Sequence, residues 1–410
     1  MNKYIPKIDI SKYNGNRHFV AGMANIYILG DSMNSKIAER NSNFEFLRII
    51  AMFMIVLLHS VYFGVQFKFH GGGTFNEFFS IFIGAFCGGV GNYLFVFISA
   101  WFLCEEPVSL KRVLKIWKQV LFYSIIIGVF FFIKKIPTIG FYDRDLYDSV
   151  GFFNAAKPIG KIDLIRSFLP VLMGNNWFAT CYIVFYLFVP ILNNLTSVLE
   201  RKRHFYLIVL MAILGTVVSF VPGQGMLHPS NLYYFITAYF IAGYIKKYDP
   251  PIFNSPARNI VIGFLICVFC GLWNCALNYF SESYKAVDFF KEWLLLGNIN
   301  KFPILLTSVF IFCGFVKMKP FSNRIINLIA STTFGVYLIH VNGFLKIYIW
   351  HKILLCDSFA DSPAYPLYLL ASSLIVFIAC SLIDLFIRQP LTVFVGYIRN
   401  CLSRRFCHAE

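Results

Sequence analysis

The sequence predicts an all-α polytopic membrane protein of about ten transmembrane helices with both termini cytoplasmic, and three observations carry that prediction. Hydrophobic residues make up 58% of the 410 and charged residues 14%, against about 45–50% and about 25% in a soluble domain. Apolar runs recur from Phe44 to Phe386, and about 20 such residues at about 1.5 Å each cross the roughly 30 Å of hydrocarbon. Lysine and arginine gather in short clusters on alternate connections, because positively charged loops resist translocation.

In chain order the predicted spans are 44–63, 78–104, 116–133, 177–195, 205–221, 232–245, 260–279, 302–316, 333–350 and 367–387, the sixth and eighth being short. The first interrupts its apolar run at Arg48 and His59. The second closes on Ser99 and Trp101, and the third follows the basic stretch Lys111, Arg112, Lys115 and Lys118. The fourth opens at Trp177, carries Tyr182 and Tyr186 one turn apart and ends past Pro190. Cys267 and Cys270 lie on one turn of the seventh. They read as small buried residues, since the cysteines offer neither zinc-ligand spacing nor a disulfide framework. Asp384 and Arg388 near the end of the tenth read as a local, structural ion pair.

Residues 1–42 are polar and lack the apolar core and cleavage site of a signal peptide, so they read as a cytoplasmic tail. Residues 43–390 form the transmembrane domain and 391–410 a basic cytoplasmic tail. The longest connection, 134–174, is an outer loop bearing Asp143, Arg144, Asp145 and Asp148 that caps the bundle. The net charge of +16 is spread between apolar runs rather than gathered on one soluble face, which argues against nucleic acid and for a phospholipid bilayer as the partner. With no soluble catalytic domain in view, any chemistry falls to the bundle.

Arg48 and His59 are eleven positions apart, roughly three turns plus 20°, so they share a helix face about 16 Å apart along the axis. Arg48 is either a snorkelling anchor or part of an internal site. His59 is either a core histidine bonded to a neighbouring helix or a functional group, since ionisable side chains at membrane depth are costly. His340, about ten residues into the ninth span, supplies a second imidazole. Such a side chain can take a proton from a hydroxyl and return it to a leaving thiolate, or relay protons in a carrier. The basic stretch containing Arg112 and Lys115 sets topology and contacts phospholipid, or clamps the phosphates of a nucleotide-bearing donor.

In this order and topology these residues resemble the acyltransferase 3 family of bacterial membrane acyltransferases. The resemblance runs from about Asn43 to Pro390. It rests on the Arg-x10-His of Arg48 and His59, on Phe97-Ile98-Ser99, on the basic segment after it, on Trp177-x4-Tyr182, and on Tyr337-Leu-Ile-His340. Two positions depart from the family pattern. Ala100 stands where Gly is common, and Lys115 stands where a second Arg is common, and a lysine cannot reproduce a guanidinium fork.

The resemblance implies a stand-alone membrane O-acyltransferase of the bacterial cytoplasmic (inner) membrane, with no bound cofactor or metal. It would move acetyl from acetyl-CoA, or another acyl group from its CoA thioester, to a sugar hydroxyl of a surface polysaccharide, lipopolysaccharide or lipid-linked precursor. Under it Arg112 and Lys115 hold the donor, and His59 activates the hydroxyl or carries the acyl group. Arg48 orients the donor or favours the negative charge developing on the thioester, His340 lies across the cavity, and Ser99, Trp177, Tyr182 and Tyr337 line it or meet the acceptor. The competing class is a transporter or lipid-linked sugar flippase with a histidine proton relay. The missing inverted repeats and few carboxylates at membrane depth weigh against it.

Overall fold

The fold follows from a computed structural model that describes residues 40–65, 73–105, 109–138, 157–220, 230–284 and 299–396. Over these residues it is all-α apart from one two-residue antiparallel pairing, β1 (Pro137–Thr138) with β2 (Lys157–Pro158). Most of the two predicted tails, and the acidic stretch around Asp143, Arg144, Asp145 and Asp148, lie outside the described residues.

The helices are α1 (Ser42–Gly64), α2 (Phe75–Leu103), α3 (Leu110–Lys134), α4 (Lys161–Phe168), α5 (Trp177–Val198), α6 (Arg201–Ala212), α7 (Asn231–Tyr248), α8 (Pro256–Tyr284), α9 (Phe302–Lys317), α10 (Arg324–His340) and α11 (Tyr365–Ile383). α6 runs on through a π-helical turn to Phe220, and α11 through another, Asp384–Arg388, to Gly396. Helical residues thus continue past 390. Among the described residues six helices are long and apolar enough to cross a membrane: α1, α2, α3, α5, α8 and the extended α11. The chain is therefore multi-pass. The predicted spans overlap these helices, the ninth chiefly over 333–340, but α6, α7, α9 and α10 miss that standard.

α1 and α2 form the centre. α1 packs against α2, α10 and α11, while α2 packs against α7, α8 and α9. Gly91 lets the two central backbones close up, since a Cβ there would meet the Ala51 carbonyl oxygen at 2.8 Å. The outer helices turn large apolar side chains outward, among them Phe130 and Ile133 of α3, Ile191 of α5, Phe264 of α8 and Ile375 of α11. Such an apolar exterior suits lipid rather than water.

The start of α1 is pinned where it matters for Arg48. Asn41 caps the helix by accepting from the Asn43 amide at 3.0 Å. Asn43 donates to the Met318 and Lys319 carbonyls at 3.0 and 3.2 Å, and Ser42 donates to Asn327 at 2.7 Å. These bonds lock α1 to the turn between α9 and α10.

The ninth predicted span, 333–350, is corrected: α10 starts at Arg324 and stops at His340. Asn342-Gly343 is the reason, an Asn-Gly pair favouring a turn over a continuing helix. The Asn342 side chain accepts from the Phe344 amide at 3.1 Å, and helical structure resumes only at Lys346, leading into the π-helical Tyr348–Ile353. His340 therefore sits at a helix end rather than mid-helix. The connection 134–174 meets this break, with Thr138 donating to the Phe344 carbonyl at 2.7 Å and Ile159 packing beside Phe131 and Phe344. α4 lies along α3, where Gly128 leaves room for Ser167.

Candidate functional site

Six elements of the bundle surround a cavity of about 500 Å³. Its basic wall comes from Arg48 of α1, Lys115 of α3, Arg388 in the last turns of the extended α11, and Arg40 just before α1. Helical spacing presents the rest. Lys115 and Gln119 are one turn apart on α3, Phe95 and Ser99 on α2, and Phe178 and Tyr182 on α5. Ser331, Thr333 and Phe334 of α10 close the far side.

Two buried carboxylates hold the three arginines. Glu45 accepts from Arg48 at 2.6 Å, one turn along α1, and lies 3.7 Å from Arg40. Asp384 is fully buried and takes a bidentate grip from Arg388, at 2.6 Å from Nε and 2.8 Å from Nη2. It also accepts from Tyr123 at 2.7 Å and from Gln389 at 3.1 Å, with Gln119 at 3.5 Å. A buried carboxylate without such partners would be too costly to keep charged. With four cations against two carboxylates, the cavity keeps an excess of positive charge and favours anions.

At the other end of α1 lies the second feature. His59 Nδ1 and His340 Nε2 are 2.9 Å apart, and His340 Nδ1 is 2.6 Å from the Val336 carbonyl oxygen. His340 is fully buried and His59 partly so. The His59 ring also packs on Phe63, over which the Lys346 ammonium sits at 5.0 Å.

The sequence-predicted residues therefore divide into two groups. Arg48, Lys115, Ser99 and Tyr182 share the cavity, whereas His59 and His340 share a hydrogen bond outside its lining. Between them stands Tyr337, whose ring stacks on Phe334 at 6.2 Å and meets Phe178 at 5.7 Å and His340 at 6.4 Å edge to face. Phe178 and Phe334 belong to the cavity wall, so this aromatic layer separates cavity from imidazoles. Trp177 is substantially exposed, stands against Phe178 and does not line the cavity. Arg112 is exposed on the first turn of α3 and does not line it either.

Arg40, Gln119, Arg388 and Gln389 were not foreseen as site residues. Arg388 was read as half of a local ion pair, which it is, but the pair faces the cavity. A signal was present: Asp384 falls inside a hydrocarbon-length apolar run, where a carboxylate marks a functional position by default.

An anion-favouring chamber and a hydrogen-bonded imidazole pair inside an apolar bundle define a membrane protein with a chemical task at its core. A family model described as an acyltransferase domain, Acyl_transf_3, matches residues 41–385. The chain belongs to this acyltransferase 3 family and is a membrane acyltransferase. No curated protein and no solved structure matches it.

Proposed function

We propose that the protein is an O-acyltransferase of the bacterial inner membrane, moving acetyl from acetyl-CoA to a sugar hydroxyl of a surface polysaccharide, lipopolysaccharide or lipid-linked precursor. In this reading ten segments span the membrane and both termini are cytoplasmic, which puts the Arg48 end of α1 inside. The observation that carries it is that one helix joins an anion-favouring cavity, at Arg48, to a hydrogen-bonded imidazole, at His59.

The donor's phosphates lie against Arg48, Lys115, Arg388 and Arg40, with the two guanidinium groups held by Glu45 and Asp384 already oriented for them. Arg112, exposed nearby, contributes to capture rather than to the bound contact. The pantetheine arm runs past Ser99 and Tyr182 toward Tyr337. The acceptor sugar approaches from the Phe63 and Lys346 side.

His59 takes the proton of the acceptor hydroxyl as its oxygen bonds to the thioester carbonyl carbon. The carbon–sulfur bond then breaks, and the proton passes from His59 to the departing thiolate. General acid–base work of this kind contributes about 10²–10⁴ in rate.

The test is purified protein in proteoliposomes with radiolabelled acetyl-CoA and a lipid-linked glycan. His59→Ala is expected to lower transfer by at least about a hundredfold at unchanged protein yield. Undiminished transfer by that variant overturns the role of His59, and solute movement with no acetyl-CoA consumed by the wild type overturns the whole reading.

A further inference from the structure

From the Val336 carbonyl onward, we infer that His340 is a positioning residue that holds His59 in the tautomer protonated at Nδ1, leaving Nε2 as the nitrogen that receives the acceptor's proton. The inference rests on the acyltransferase reading for its chemistry and on hydrogen-bond logic for its direction.

A carbonyl oxygen only accepts. Because the Val336 oxygen lies 2.6 Å from His340 Nδ1, that nitrogen carries a hydrogen and donates it. A neutral imidazole has one N–H, so His340 Nε2 is then a bare acceptor. It lies 2.9 Å from His59 Nδ1, and two lone pairs at that distance would repel. His59 Nδ1 must therefore supply the hydrogen. The neutral His59 is left with Nε2 bare, and among the described residues no hydrogen bond reaches that atom.

Burial makes the chain of consequence firm. His340 is fully buried, so water does not offer its ring nitrogens an alternative partner. The helix also fixes the ring, since Val336 is one turn before His340 on α10 and the helix ends at His340. The bond joins α10 to α1 across 281 positions of chain, so His59 is oriented by a group its own helix does not contain.

The consequence for the reaction is directional. The hydroxyl proton moves to His59 Nε2 and later from Nε2 to the leaving sulfur, so protons balance within the step. While His59 is an imidazolium, its Nδ1–H still points at the bare Nε2 of His340, which stabilises the charge without taking the proton. A carboxylate plays that orienting part in Ser-His-Asp hydrolases; here a second, neutral imidazole does.

Two measurements on the full-length protein in proteoliposomes test this. In ¹⁵N-histidine-labelled wild type, solid-state NMR is expected to show His59, assigned by loss of its signals in His59→Gln, as protonated at Nδ1 and bare at Nε2. The reverse tautomer overturns the inference whether or not the protein transfers acetyl groups.

In the transfer assay His340→Gln, whose amide oxygen reaches the position of Nε2 and accepts the same bond, is expected to keep kcat within about threefold of wild type. His340→Ala is expected to lose about a hundredfold in kcat, with KM for acetyl-CoA unchanged. Equal losses in the two variants, at equal folded yield, overturn the positioning role. Absence of acetyl transfer by the wild type defeats the acyltransferase reading and leaves the tautomer to be decided by the spectrum.

Discussion

At Gly335 a hydrogen stands where any other residue would drive a Cβ into the Asp384 carboxylate, and that space lets the end of α11 press its buried acid against α10. The carboxylate in turn sets the angle at which Arg388 faces the cavity. Gly335→Ala is expected to displace Asp384, costing about 1–3 kcal/mol as an overpacked contact and raising KM for acetyl-CoA. Asp384→Asn keeps the shape and removes the charge, leaving Arg388 without its counter-ion. Breaking such a pair costs about 3 kcal/mol, so it is expected to lower the melting temperature in detergent more than the glycine variant does. Thermal unfolding and donor-dependence curves for both variants check the two effects separately. An unchanged KM in Gly335→Ala would remove Arg388 from the donor site.

Among the helices, α10 carries the coupling between the two halves of the site. Its face offers Thr333 and Phe334 to the cavity, Tyr337 to the aromatic layer and His340 to His59, so less than three turns reach from one chamber to the other. Phe178 from α5 completes the layer. In the proposed reaction, a wall of this kind would keep water from the thioester until the acceptor is in place. Tyr337→Phe retains the ring and is expected to transfer within about threefold of wild type. Tyr337→Ala opens the layer, and more of the acetyl-CoA consumed should then end as free acetate instead of glycan ester. The ratio of free acetate to acetylated glycan measures this. A ratio equal to wild type would show that the layer does not exclude water.

For the molecule as a whole, the proposed ten-span arrangement puts Lys115 and the termini on one side of the bilayer and Lys157 on the other. Single cysteines at these two positions, in a cysteine-free background, should label from opposite sides of intact cells with a membrane-impermeant maleimide. Labelling of both from the same side would refute the topology. Hydropathy determined by itself that the chain is a helical membrane protein, because twenty apolar residues in a row have few other stable fates. It also marked ten apolar segments that overlap helices, though neither α4 nor the end of α10 at His340, and pointed to Arg48, as anchor or site residue, and to His59 and His340 as candidates. The stop at His340 was legible in Asn342-Gly343, but an apolar count passes straight over such a turn.

What the sequence did not determine is which groups meet. In helices that are apolar almost all round, periodicity does not say which face turns inward. Tertiary packing alone decided that His59 finds His340 across 281 positions, that Tyr123 finds Asp384 across 261, and that Arg388 shares a chamber with Arg48. Apolarity is a property of each segment and is written locally. The rotation of one helix against another is settled by the fit of side chains from all of them together.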